Sequence, residues 1–288
     1  MSLLDLPPEL LLLIGENLSV KDISRVLRAN RYLSCLLTPR FHKLALEDIG
    51  SLSALRWAAY RGYASLAELV LSNGAGVEEF ERGRSILKTP LHIAAAQNYP
   101  DVIRAMAKYG RWINVTDARR STPLHAAAGQ RSLQAIRVLL ELGADMTSTD
   151  FRRKTPVHVA AKRGDIDCMR AFIDAGWDFN LEWGPTRTVL HEATLGRKEM
   201  VEFLLEHGGK VLINVQDSSG KTPLHWTVGK YSGDEEIARI LCYHGADTEV
   251  KDHRGQSPMD LAIGREPFAR ALLDCRPVAS AANISKPE

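Results

Sequence analysis

The sequence lacks the long apolar run that a membrane-spanning helix needs. Its longest uninterrupted apolar run, residues 10–14, has five residues, whereas a spanning helix needs about 20. The leucine-rich start also differs from a secretory signal, because it has no basic leader and is interrupted at Asp5 and at residues 7–9. We therefore expect a chain that neither crosses a membrane nor is secreted.

Cysteine and net charge are also scarce. The four cysteines lie far apart and form no CxxC pair, which favours free thiols in a reducing compartment over disulfides or structural zinc. They are Cys35, Cys168, Cys242 and Cys275. With 37 basic and 35 acidic residues the net charge is only +2, so we expect neither nucleic acid nor a membrane as partner. The apolar fraction of 45% is that of a folded chain, and 288 residues admit about two domains or one elongated array.

Signatures of common catalytic sites are missing as well. The chain has no glycine-rich dinucleotide or phosphate loop, no HExxH zinc motif and no GxSxG nucleophile motif. The Asp252-His253 pair falls in a turn-forming stretch and has no nucleophile beside it. We predict that the chain is not an enzyme, has no catalytic residues and needs no cofactor or metal.

What the sequence does contain is an internal repeat. The phrase Thr-Pro-Leu-His, or a close variant, recurs at intervals of 33 to 35 residues. Its six copies begin at Thr89, Thr122, Thr155, Thr188, Thr222 and Ser257. A degenerate copy beginning at Ser53, 36 residues before the first of these, brings the number of repeat units to seven.

Each position of the repeated unit has a structural reason. Threonine is a good helix N-cap, and proline in the first helical turn needs no hydrogen bond there. The paired alanines that follow allow two antiparallel helices to approach closely. A glycine suited to a left-handed C-terminus ends the second stretch, at Gly74, Gly110, Gly143, Gly176, Gly208 and Gly245. Turn chemistry predicts a projecting hairpin between units, around Asp117, Asp150, Asp217 and Asp252.

These features resemble the ankyrin repeat, for which a 33-residue period and the phrase Thr-Pro-Leu-His-x-Ala are typical. The resemblance covers residues 51–275 and implies an all-α fold, a curved solenoid of about seven helix pairs. Five histidines occupy the repeated phrase: His92, His125, His158, His191 and His225. We expect each to bond to local backbone and to the phrase threonine rather than to a metal, because no cysteine or carboxylate accompanies it at ligand spacing.

A different pattern occupies residues 1–45. The Pro7-Pro8-Glu9 step suits a helix start, an S-x-x-D signal at Ser19 begins a second helix, and Pro39 ends a third. Three short helices contain too small a core to be stable alone, so we expect this segment to pack against another domain or protein.

This segment is similar to an F-box over residues 3–42. The resemblance lies in the Leu-Pro-x-Glu opening at Leu6, the spaced apolar residues and the Asp22-Ile23 step, where an F-box usually has Asp-Leu. It implies docking to a Skp-type adaptor and a cullin, and thus a substrate receptor of an SCF-type ubiquitin ligase. The implied adaptor-binding residues are Leu6, Pro7, Leu10, Ile14, Leu18 and Val26. The domain order is similar to that of F-box/ankyrin proteins abundant in filamentous fungi.

An alternative is that the three N-terminal helices only cap the solenoid. The chain is then a non-catalytic scaffold or inhibitor. Residues 276–288 are small and polar, and we expect a disordered tail there. The expected compartment is the cytoplasm, the nucleus or both.

Substrate recognition is expected where basic and aromatic residues cluster on consecutive units. The candidates are Arg119, Phe151, Arg152, Lys154, Lys162, Arg163, Trp183 and Arg187. Arginine with aromatic anchors is typical of binding hot spots, which predicts an acidic or phosphorylated protein segment as ligand. The alternative is that these charged residues only form a solvated rim and bind no ligand. Because Arg120 and Arg153 replace the glycine usual in this family, their turns are expected to depart from the ordinary geometry.

Overall fold

The computed structural model describes residues 51–72, 88–110, 112–179, 187–229 and 234–274. The expected F-box-like helices of residues 1–45 and the expected tail of residues 276–288 lie outside these described residues. Both therefore stay predictions.

The described residues form seven successive helix pairs. The first four pairs are α1 (Ser51–Arg61) with α2 (Ala64–Ser72), α3 (Pro90–Ala96) with α4 (Pro100–Lys108), α5 (Pro123–Gln130) with α6 (Leu133–Glu141), and α7 (Pro156–Arg163) with α8 (Ile166–Asp174). The last three are α9 (Val189–Ala193) with α10 (Lys198–Glu206), α11 (Pro223–Val228) with α12 (Glu235–Tyr243), and α13 (Pro258–Ala262) with α14 (Glu266–Asp274). Short 3-10 turns occupy Trp112–Asn114 and Gly209–Leu212.

The pairs stack in two layers. Odd-numbered helices pack against odd-numbered ones, as α5 does against α3 and α7, and even-numbered helices pack against even-numbered ones, as α6 does against α4 and α8. No strand occurs in the described ranges, and no helix within them is long and apolar enough to cross a membrane. The helix-pair solenoid expected from the repeat is confirmed.

The core lies between the two layers. The alanine pairs of the odd-numbered layer, such as Ala127 and Ala128, are fully buried, while the even-numbered layer contributes larger buried side chains such as Ile136, Leu139 and Phe172. Small residues in one layer therefore leave room for large residues in the other, and the apolar stripe of each helix is covered.

An aspartate closes the turn between consecutive units. Asp150 Oδ1 accepts hydrogen bonds from the backbone N–H groups of Arg152 at 2.8 Å and Lys154 at 2.9 Å, and the Asp150 carbonyl accepts from the N–H of Arg153. The same pattern recurs at Asp117, Asp217 and Asp252.

The prediction that the arginine-bearing turns depart from this geometry is wrong. Arg120 and Arg153 have φ values of 57° and 60°, close to the 76° of Gly220 and the 74° of Gly255 at the equivalent positions. The aspartate bonds impose the left-handed conformation even where a side chain makes it unfavourable by about 1 kcal/mol.

Each phrase histidine links its own unit to the next one. His125 Nδ1 accepts a hydrogen bond from the Thr122 N–H at 3.1 Å, and its Nε2 lies 2.9 Å from the Lys154 carbonyl of the following unit. A carbonyl can only accept, so the ring is the neutral tautomer with its proton on Nε2. The other four make the same forward bond at 2.7 to 3.0 Å: His92, His158, His191 and His225. The predicted bonding of these histidines to threonine and backbone is confirmed.

The phrase of the seventh unit has aspartate in place of histidine. Asp260 Oδ2 accepts from the Ser257 N–H at 2.9 Å, and the Ser257 hydroxyl accepts from the Asp260 N–H at 3.1 Å. This capping box stabilises the start of α13. An ionised carboxylate cannot donate, so Asp260 makes no forward link of the histidine kind.

Acidification should therefore destabilise the array. Burial lowers the pKa of all five linking histidines, that of His191 to about 4. Below about pH 6.5 the unfolded chain binds protons that the folded chain does not, so the free energy of unfolding decreases as the pH is lowered. The contribution of His191 is lost as the pH falls toward the pKa of this histidine in the folded chain. We expect a lower urea midpoint at about pH 5 than at about pH 7.5.

A matched pair of variants isolates this effect. His191→Gln should reduce the difference between the two midpoints, because it removes one titrating group. The matched control is His253→Gln, which changes an exposed histidine of a turn. Equal midpoints for the unmodified chain at the two pH values would contradict the assignment.

Candidate functional site

Charged side chains of two consecutive units converge on one cleft of about 400 Å³, here called the basic cleft. It is lined by Arg152, Arg153, Lys154, Lys162, Arg187, Glu192 and Ser218. Five of these seven residues are cationic, and only one is acidic. A cleft lined by one sign of charge focuses its field on the ligand, so the site is suited to an anion.

The repeat places these residues beside one another. Residues 152–154 lie on the turn that precedes α7, and Lys162 lies in the last turn of that helix. One unit later, Arg187 directly precedes the N-cap of α9, and Glu192 lies on α9 itself. Ser218 belongs to the turn after that. Equivalent positions of stacked units are neighbours, which is why residues about 33 apart share the cleft.

The cleft brings together four of the eight predicted substrate-binding residues: Arg152, Lys154, Lys162 and Arg187. Two more adjoin it, since the Arg152 guanidinium carbon lies 5.1 Å from the centroid of the Phe151 ring, and the Phe151 N–H donates to the Arg119 carbonyl at 2.9 Å. Arg163 is exposed and does not line the cleft. Trp183 and the six predicted adaptor-binding residues lie outside the described part of the chain.

Sequence reasoning missed Glu192. The equivalent position of the other units holds a half-buried apolar residue, here called the apolar row: Trp57, Ile93, Ala126, Val159, Trp226 and Leu261. Glu192, by contrast, is 0% exposed. The signal available in the sequence was this single acid at a position that is otherwise apolar.

The Glu192 carboxylate holds two cations of the cleft. Its Oε2 accepts a hydrogen bond from Lys154 Nζ at 2.7 Å. Its Oε1 lies 3.6 Å from Arg187 Nη1, an ion pair too long for a hydrogen bond, and has no hydrogen-bond partner. Both basic side chains therefore lie over a buried negative charge, which restricts their orientation.

The Arg187 side chain contacts the Trp226 ring as well as Glu192. Its guanidinium carbon lies 3.6 Å from the centroid of the Trp226 ring, and Trp226 Nε1 donates to Asp217 Oδ2 at 3.0 Å. Although burial alone would raise the pKa of Asp217, hydrogen bonds from Ser219, Lys221 and Trp226 lower it, so the acceptor stays ionised.

Three cations of the cleft have no such fixed anion. Within the described ranges no carboxylate lies within ion-pair distance of Arg152, Arg153 or Lys162. These three side chains are the groups available to an anionic ligand.

Other chemistry has little support in the described residues. No three histidine, cysteine, aspartate or glutamate side chains there converge as a metal site would require. The buried thiol of Cys168 has its pKa raised by burial to about 12, so it is not a thiolate at neutral pH.

Comparison with known proteins identifies the repeat. The family model for ankyrin repeats matches residues 55–150, 147–214 and 210–284, which is most of the chain. The chain belongs to the ankyrin-repeat family. Ankyrin repeats indicate a protein–protein interaction module, and their fold is typically a non-catalytic binding scaffold.

Two sequence relatives match part of this ankyrin array. An ankyrin repeat-containing protein of Saccharomyces cerevisiae is 40% identical over 77 residues, 25% of this chain and 42% of the yeast protein. Human protein phosphatase 1 regulatory subunit 27 is 40% identical over 73 residues, 25% of this chain and 45% of that subunit. The chain thus matches less than half the length of either relative.

Two solved ankyrin domains share the fold over most of their length. The ankyrin repeat domain of Bcl-3, described as a member of the IkappaB protein family, aligns with a TM-score of 0.63 and 25% identity, covering 77% of this chain and 97% of that domain. The human ASB11 ankyrin repeat domain aligns with a TM-score of 0.62 and 26% identity over the same fractions.

The ion pair of Lys154 with Glu192 predicts that a single substitution destabilises the chain more than a double one does. Lys154→Met leaves the Glu192 carboxylate buried without its hydrogen bond, which should lower the free energy of unfolding by roughly 2–4 kcal/mol. The double variant Lys154→Met with Glu192→Leu removes both charges and continues the apolar row, so its stability should be within about 1 kcal/mol of the unmodified chain. Urea denaturation monitored by circular dichroism measures both.

The exposed Arg104–Glu141 pair, at 2.9 Å, provides the control. Arg104→Met should cost less than about 1 kcal/mol, because exposed pairs contribute little. A double variant as unstable as Lys154→Met alone would mean that the loss comes from the packing of the lysine stem rather than from a buried carboxylate that has lost its hydrogen bond.

Proposed function

We propose that the chain is a receptor whose basic cleft binds an acidic or phosphorylated segment of a partner protein. The observation that supports this most is the convergence of Arg152, Arg153 and Lys162, which have no carboxylate partner among the described residues, beside two cations that Glu192 already orients. Carboxylate and phosphate groups are the natural complement of such an arrangement, since charge-assisted hydrogen bonds are the strong ones.

The apolar row supports a protein segment as the ligand. Val159 precedes Glu192 by one unit and Trp226 follows it by one unit, and both are half-buried. Phe151, beside the cleft, is 53% exposed. A partner segment lying along the row would bury apolar side chains on both sides of its anionic group, which is the composition of a binding hot spot.

The finer proposal is that this receptor delivers its partner to an SCF-type ubiquitin ligase. The support is the F-box resemblance of residues 3–42, in which Leu6, Pro7, Leu10, Ile14, Leu18 and Val26 would contact a Skp-type adaptor. Holding the partner near a ubiquitin-charged enzyme raises its effective concentration there. The alternative, a scaffold or inhibitor with an N-terminal cap, uses the same basic cleft.

Charge reversal tests the cleft. The probes are two fluorescein-labelled peptide mixtures with degenerate flanking residues, one with a central glutamate and one with a central phosphoserine. Arg152→Glu with Lys162→Glu should weaken binding of whichever mixture binds by at least about tenfold, because two ligand-facing cations become repulsive. Fluorescence anisotropy with the full chain measures the affinity.

The matched control reverses two exposed cations outside the cleft lining, Arg137 and Arg163. Arg137→Glu with Arg163→Glu changes the net charge equally and should reduce affinity far less. Equal losses in the two double variants, or no binding of either mixture, would defeat the proposed cleft function.

Adaptor capture tests the ligase proposal. The full chain should retain a purified Skp-type adaptor, and Pro7→Ala should lose it while keeping the circular dichroism of the repeats. Arg152→Glu with Lys162→Glu should retain the adaptor, because these residues belong to the other binding surface. Failure of the unmodified chain to bind the adaptor would contradict the ligase proposal and favour the scaffold alternative.

A further inference from the structure

The basic cleft contains an unsatisfied acceptor as well as cations. Glu192 Oε1 is the one buried side-chain nitrogen or oxygen in the described ranges that has no hydrogen-bond partner, and the residue is 0% exposed. A buried carboxylate oxygen without a donor is unfavourable, and a ligand that supplies a donor recovers that free energy.

These two features constrain the ligand. A free anion without a donor would satisfy the cations but not Glu192, whose charge repels it. A phosphate monoester has about two negative charges and three acceptor oxygens, which match these three cations, unpaired within the described ranges, better than a carboxylate with one charge does. A peptide that bears it also has backbone N–H groups, which are the missing donors.

Building on the function proposed above, we propose that the basic cleft is a phosphoresidue subsite. Arg152, Arg153 and Lys162 bind the phosphate of a phosphoserine or phosphothreonine, and a backbone N–H of the same segment donates to Glu192 Oε1. Lys154 holds the carboxylate in place through its hydrogen bond to Oε2, and the partly exposed Arg187 side chain, which makes no hydrogen bond to Oε1, moves aside to admit the N–H. The apolar row on both sides favours a phosphorylated segment over a free phosphorylated metabolite, which would fill the cleft alone.

The variant Glu192→Gln separates this subsite from simple charge attraction. Lys154 Nζ is a donor, so the single oxygen of the new amide faces it and the NH₂ group takes the place of Oε1. The variant has a donor where the peptide N–H needs an acceptor. Simple electrostatics predicts the opposite sign, because removing a negative charge from a cationic cleft strengthens the binding of any anion.

The experiment compares four probes on the full chain. Three are labelled degenerate peptide mixtures that differ only in a central phosphoserine, glutamate or serine, and the fourth is inorganic phosphate, measured by calorimetry. We expect the phosphoserine mixture to bind at least about tenfold more tightly than the other two mixtures. Glu192→Gln should weaken it about tenfold, the value of a hydrogen bond to a charged acceptor, while leaving inorganic phosphate unchanged or tighter.

A control variant and a second measurement accompany this experiment. Glu141→Gln removes an exposed carboxylate of α6 and should leave all affinities unchanged. If Glu192→Gln fails to fold, the unmodified chain is tested with phosphoserine peptides N-methylated at the residues flanking the phosphoserine, which lack the donor and should bind about tenfold more weakly.

The outcomes separate the two proposals. Equal binding of the glutamate and phosphoserine mixtures, or tighter phosphoserine binding in Glu192→Gln, overturns the subsite but leaves the proposed function standing. Binding of inorganic phosphate without preference for the peptide also overturns the subsite. Binding that is indifferent to the reversal of Arg152 and Lys162 overturns both.

Discussion

The hydrogen bond from each phrase histidine to the carbonyl of the next unit is the constraint on which the rest of the structure depends. His125 bonds to the Lys154 carbonyl at 2.9 Å and His158 to the Arg187 carbonyl at 2.8 Å. Those two residues are also the ones whose side chains cover Glu192. The bonds that set the register between units thus also place the cations of the basic cleft.

Two positions that depart from the repeat pattern lie in the basic cleft. Arg153 takes a left-handed conformation that glycine takes in later units, and Glu192 stands where other units have an apolar residue. Each departure is unfavourable locally, yet the aspartate turn and the stacked helices hold it in place. Strained or unsatisfied groups that persist in this way cluster at binding sites, which is a physical reason to regard this cleft as functional rather than as a solvated rim.

Membership of the ankyrin-repeat family explains the array but not its partner. Residues that build the stack, such as the buried alanine pairs and the capping threonines, recur in nearly every unit. Residues 152–154 and Glu192 differ from unit to unit, and the proposed recognition depends on them. The family therefore supplies the scaffold, whereas the chemistry of the cleft belongs to this chain.

The sequence alone determined the features that depend on local interactions. The period of the phrase, the threonine caps of most units, the aspartate hairpins and the bonding of the histidines all follow from residues near one another or one repeat apart, and the structure has them. It also indicated Arg152, Lys154, Lys162 and Arg187 as neighbours, because a repeat converts sequence spacing into position.

Only the tertiary structure decided which side chains share the cleft and which do not. Lys162 lines it and Arg163 does not, although they are adjacent, because successive residues of a helix point in different directions. Glu192 is buried because Lys154 and Arg187, from other parts of the chain, cover it. Burial and the absence of a hydrogen bond at Oε1 are properties of the packed array, since they depend on side-chain atoms that the repeat pattern does not specify.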